Sequence, residues 1–120
     1  MCLLIRQPKN KVISDEKLQI AYENNEDGAG FSYARNGRVY VEKFRDFGKF
    51  LTNYKLAVQR FGKTSDFVVH FRLTTHGTNE GTFNVHPFKV NSRLSFAHNG
   101  VINGVGTSKK LSDTRLFNKR

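Results

Sequence analysis

The feature that most constrains the fold of this chain is the pair Asn36-Gly37, set between two alternating stretches. Phe31 and Tyr33 precede it and Val39 and Val41 follow it, all at a period of two. Asn-Gly supplies two consecutive residues that tolerate positive φ, which a two-residue hairpin turn of the right twist requires. The segment therefore reads as an antiparallel hairpin. A few residues later the period changes. Phe47, Phe50, Leu51, Tyr54, Ala57, Val58 and Phe61 follow the i, i+3, i+4 spacing of an amphipathic helix over 47–61, with Gly62 as its terminator.

The remaining elements are arranged around these two. Residues 3–5 are a short apolar strand, and 7–10, with Pro8, a turn. Ser14 reads as the N-cap of a short helix whose apolar positions run over 17–22. Residues 66–71 read as a strand, with Phe67, Val68 and Val69 buried on both faces. The stretch 78–88 reads as a loop, 93–97 as the start of another strand, 101–108 as a loop and 112–114 as the opening of a helix. Hairpins mixed with separate helices predict an α+β architecture in layers. At 120 residues the chain is one domain, residues 1–120, without internal repeats.

Composition limits the function classes. One cysteine argues against a disulfide scaffold and fits a reducing compartment. There is no apolar run of membrane-spanning length and no signal-peptide pattern, so the expectation is a cytoplasmic protein without membrane contact. The formal charge of +10 would attract acidic partners or phosphate backbones. The basic residues are spread along the sequence, however, and no zinc-finger spacing or RNA-recognition signature accompanies them. Nucleic-acid binding is therefore the less favoured reading.

Four short stretches carry groups with chemical potential. Cys2 follows Met1 directly, and removal of Met1 would leave thiol and α-amine on one residue. Their ordinary pKa values, about 8.5 and about 7.7–8.0, let the amine accept the thiol proton. A buried small hydrophobe opening a strand is the plainer alternative. Arg72, in the stretch 70–77, offers a planar fork for a carboxylate or an ion-pair partner for an acid. Asn99 and Gly100 provide a side-chain amide beside a backbone N–H, an oxyanion hole or a simple turn. Asp113, between Ser112 and Thr114, could hold an ammonium or merely open a helix. His70, His86 and His98 lack metal-site spacing and are expected to bond loop backbone around a pocket, so neither metal nor other cofactor is expected.

Together these stretches resemble the class II glutamine amidotransferase domain of the N-terminal-nucleophile hydrolase superfamily. The resemblance covers nearly the whole chain in the family's order. It comprises Cys2, then Asp27-Gly28-Ala29-Gly30, then Arg72 with Thr75, His76 and Gly77. Asn84 with His86 and Pro87 follow, then His98-Asn99-Gly100 and Ser112-Asp113-Thr114. It implies an αββα sandwich of two antiparallel sheets flanked by helices. It also implies hydrolysis of glutamine to glutamate and ammonia, with Cys2 as nucleophile and Asn99 and Gly100 as oxyanion donors. Arg72 would take the substrate α-carboxylate, Asp113 its α-ammonium, and Thr75, His76 and Gly77 would line the pocket. A synthase or other acceptor, in the same chain or as a partner, would consume the ammonia.

Leu3 and Leu73 stand where many family members carry Gly and an aromatic residue. Neither change removes a group the chemistry uses. The family's sandwich also continues past the Ser-Asp-Thr element, so a polypeptide longer than these 120 residues, of which this is a part, is expected. Two other readings compete: an inactive binding module with a basic surface, and a hydrolase of the same type acting on another amide. Arg72 with Asp113, one for each charged end of a free amino acid, favours glutamine.

Overall fold

A computed structural model describes residues 2–74, 81–82 and 84–97. Among these residues, two helices, a four-stranded antiparallel sheet and a two-stranded antiparallel sheet form a compact α+β fold. The chain runs β1 (Leu3–Gln7), α1 (Asp15–Asn24), β2 (Ala29–Arg35), β3 (Arg38–Phe44), α2 (Phe47–Phe61), β4 (Phe67–Phe71), β5 (Phe88–Asn91) and β6 (Leu94–Phe96). The larger sheet has the order β1-β4-β2-β3, so β4 is central although it comes late in sequence. Among the described residues no helix is long and apolar enough to cross a membrane.

The local signals are met where turn and cap chemistry act. Asn36 and Gly37 have φ of 51° and 75°, the doubly positive turn that joins β2 to β3. Ser14 Oγ accepts from Lys17 N at 3.3 Å and caps α1. Asp46 Oδ1 accepts from Gly48 N at 3.0 Å and caps α2, which spans the predicted residues.

One face of the large sheet carries the core. Phe31 on β2 meets the rings of Phe44, Phe50, Tyr54 and Phe67 at 5.9–6.3 Å between centroids. Leu18 and Ala21 of α1 and Phe50, Tyr54 and Ala57 of α2 close over Phe67, Val69 and Phe71 of β4. Tyr54 also donates its hydroxyl to Gln7 Oε1 and accepts from Ile13 N at 3.4 Å, tying the 8–13 turn to the helix. Burial raises the Tyr54 phenol above its ordinary pKa, so it stays a donor at neutral pH.

The second face carries Gly30, Ser32, Val68 and His70, and β5 and β6 pack against it. Val39 N donates to Ser92 O at 2.9 Å, and Lys43 Nζ lies 4.4 Å above the Phe88 ring.

Several boundaries differ from expectation. Gln7 belongs to β1 and is buried, because its side chain bonds Lys11 O at 2.8 Å as well as Tyr54. The first helix runs to Asn24, beyond residue 22. Its last turn is extended by side-chain bonds from Asn24 and Asn25 to the carbonyls of Ile20 and Ala21. Gly62 does end α2, but with φ −64° and ψ −23°, a right-handed rather than left-handed cap. What favours glycine there is space, since a Cβ would lie 2.5 Å from Val58 O. Val68 is half-buried, not buried on both faces, because the second face is covered less completely. Phe88, expected to close a loop, instead opens β5 and pairs with Phe96 across the small sheet, and no element was expected over 89–91. The expected loop at 101–108 and helix from 112 lie outside the described residues.

Candidate active site

The site region begins where β1 and β4 run out together. Leu3 pairs with Phe71, so one residue further along each strand brings Cys2 beside Arg72. Alternation puts both on the second face of the sheet, in line with His70. Cys2 is half-buried. Its sulfur accepts from Leu73 N at 3.4 Å and its thiol faces Leu73 O at 3.5 Å, so the side chain continues the ladder that the backbone has left. Both contacts fix the sulfur at the sheet end.

Arg72 is buried to 4% of its accessible surface. A guanidinium keeps its charge in any protein setting, so burying it is costly unless acceptors or an anion compensate. Its backbone is held firmly. Arg72 N donates to Gly28 O and Arg72 O accepts from Asp27 N, both at 2.8 Å. Asp27 Oδ2 accepts from Thr74 N at 2.6 Å, a short, charge-assisted bond. The strip 72–74 is thus strapped between Cys2 on one side and Asp27-Gly28 on the other. The sequence marked Asp27-Gly28-Ala29-Gly30 as part of the resemblance. The role of Asp27, holding the backbone beside the arginine, was not legible there.

The two glycines of that motif serve a second contact. A Cβ on Gly30 would sit 1.9 Å from His86 O, and one on Gly28, whose φ is +143°, would sit 2.5 Å from Val85 Cγ2. No side chain fits either place, so the backbone of 84–87 can lie directly on β2. Asn84, Val85, His86 and Phe88 are buried there. The His86 ring stacks on His70 with centroids 4.0 Å apart, and tilts against Phe88 at 4.8 Å. His70 and His86 were expected to bond loop backbone, and nothing in the sequence announced that the two rings would meet. Among the described residues no group of three or more His, Cys, Asp or Glu side chains is gathered to hold a metal ion.

Of the site residues expected from sequence, Cys2 and Arg72 are therefore brought together. Thr75, His76, Gly77, His98, Asn99, Gly100 and Asp113 lie outside the described residues. Comparison with protein-family models, with curated proteins and with solved structures finds no match to this chain.

Proposed function

We propose that this chain is a glutamine amidotransferase domain whose own reaction is hydrolysis of the glutamine side-chain amide. The observation that carries the reading is the meeting of Cys2 and Arg72. They are 70 positions apart in sequence, yet neighbours at one end of one sheet face. A nucleophile and a buried guanidinium at that separation suit a substrate with a reactive amide at one end and a carboxylate at the other. The pairing of Asp27-Gly28 with Arg72 supports it, since two motifs of the resemblance then act as one unit. So does the seat that Gly28 and Gly30 make for the Asn84-His86-Pro87 element. Helices, a four-stranded sheet and a two-stranded sheet in that order agree with three layers of an αββα sandwich.

In this proposal Met1 is removed and the Cys2 α-amine takes the thiol proton. The thiolate attacks the amide carbon, and the carbonyl oxygen becomes an oxyanion bonded by the Asn99 side chain and Gly100 N–H. The C–N bond breaks as the ammonium gives its proton to the leaving nitrogen, releasing ammonia and a γ-glutamyl thioester. Water adds to the thioester, and glutamate leaves with Cys2 restored. Arg72 holds the α-carboxylate and Asp113 the α-ammonium throughout, with Thr75, His76 and Gly77 lining the pocket. The ammonia passes to an acceptor domain or subunit.

The test is intact mass after exposure to a diazo-ketone analogue of glutamine. Loss of Met1 and one adduct, mapped to Cys2 and blocked by free glutamine, is the expected result. A processed chain that takes no adduct, or an adduct that glutamine does not block, would sink the proposal.

A further inference from the structure

At the end of the sheet away from Cys2, the fold gathers basic residues that the sequence disperses. Three turns meet there. Asn10 N donates to Gly62 O at 2.9 Å, Lys9 N to Asp66 Oδ1 at 3.0 Å, and Ala34 N to Ser65 Oγ at 2.9 Å. These bonds join the 8–13 turn, the turn after α2 and the tip of the β2–β3 hairpin. Lys9 and Lys11 come from the first, Lys63 from the second with Arg60 in the last turn of α2 before it, Arg35 and Arg38 from the third, and all six are exposed. Among the described residues, the nearby Asp15 is engaged by Lys55 at 3.0 Å. Asp66 is engaged by Arg6 at 3.0 Å, and Glu42 is half-buried. The cluster spans the ends of four strands, roughly 14 Å at about 4.8 Å per strand.

Flat rings run through the same end. Tyr33 stacks on Tyr40 at 5.6 Å and 19° and on Phe61 at 5.2 Å and 14°. The Arg35 guanidinium lies 5.1 Å over Phe61. Tyr40, on the edge strand β3, keeps 39% of its surface open to solvent. Cations alone would suit any polyanion. Cations flanking an exposed ring at the end of a stack suit a strand whose bases are free to stack and whose phosphates follow the charges.

We infer that this end of the molecule is a binding surface for single-stranded nucleic acid. It lies about 20 Å along β2 from the Cys2 end, at about 3.3 Å per residue, so it is separate from the glutamine site and does not depend on that proposal.

The test is fluorescence anisotropy of a labelled oligothymidine of about 12 nucleotides, titrated with the full chain at several salt concentrations. If all six cations contact phosphate, the slope of log affinity against log salt is about −4. Replacing Arg35, Arg38 and Lys63 by Gln should bring it to about −2. The same charge loss at exposed Lys17, Lys49 and Lys89 should leave it unchanged. Tyr40→Leu, which keeps apolar bulk without a flat ring, should weaken binding about fivefold to a hundredfold, and Tyr40→Phe should not. Cys2→Ala should bind like the parent. Equal losses from the two triple variants, or parental binding by Tyr40→Leu, would overturn the inference. So would polyglutamate that competes as well as oligothymidine at equal charge, which would make an acidic protein the partner.

Discussion

Strand β4 presents Phe67, Val69 and Phe71 to one face of the sheet and His70 to the other, with Arg72 continuing that second row. On the helix side, rings pack against rings and order follows from buried apolar area. On the other side the buried apolar groups are fewer, Val85 and Phe88 beside the His70–His86 stack. Order comes from backbone bonds between 27–28 and 72, a carboxylate on Thr74 N, and glycines that admit the 84–87 backbone. The difference shows how one central strand can serve the core with one face and carry Arg72 beside Cys2 with the other: a residue's parity decides which. It also implies that changes on the two faces should separate in experiment, with folding lost on one and turnover on the other.

The largest effect is expected on the second face. If the proposed glutaminase reaction is this chain's, Cys2→Ala should cut turnover by on the order of 10⁴-fold or more, while moving stability by less than about 1 kcal/mol. Steady-state ammonia release and urea denaturation read the two quantities. A variant that unfolds as it loses activity would erase the distinction between faces. On the helix side, Phe31→Ala removes the ring at the centre of the core and should cost about 3–5 kcal/mol in the same denaturation experiment. Whatever fraction remains folded should turn over normally.

Gly30→Ala tests the seam between the two modes of order. Its Cβ meets the His86 carbonyl, a backbone atom that cannot rotate away. The 84–87 segment must shift, at a cost of about 1–3 kcal/mol, and turnover should fall more than stability does. Ordinary stability with ordinary turnover would mean that the segment does not contribute to the site.

The smallest effect concerns Glu42, which faces the helix side from β3. Burial holds its carboxyl above the ordinary carboxylate pKa. A raised folded value means stability that is fully present below the unfolded pKa, about 4.3. It is lost as pH rises through the folded value. Glu42→Gln should therefore raise the denaturation midpoint slightly at about pH 7 and leave it unchanged at about pH 4. An equal difference at both pH values would point to packing rather than charge.

Much of the frame was legible because it is set by neighbours in sequence. The Asn36-Gly37 turn, the Ser14 cap and the seven-residue apolar stripe on α2 each act within a few positions, and each element appeared where its chemistry required. Strand β5 was not legible. Phe88 and Val90 alternate with Lys89 and Asn91, but four residues are too short a run to mark a strand, and only Phe88 is buried. Of the site, the sequence shows glycines at 28 and 30, but not that His86 would lie against Gly30. The stacking of His70 on His86 joins residues 16 apart through packing across the sheet, and no local pattern encodes that.

By itself, then, the sequence determined the hairpin, the helices, the α+β class and which residue types were available for chemistry. Periodicity and φ preferences are properties of short segments, and they survive without knowledge of the rest of the chain. Tertiary structure decided which distant residues meet. The order β1-β4-β2-β3 brings position 2 to position 72 at one end of the sheet. At the other end it brings positions 9, 11, 35, 38, 60 and 63 together. Strand order follows from which faces bury most area together, a property of the whole sheet, and charges dispersed along a chain become a surface only after it is chosen.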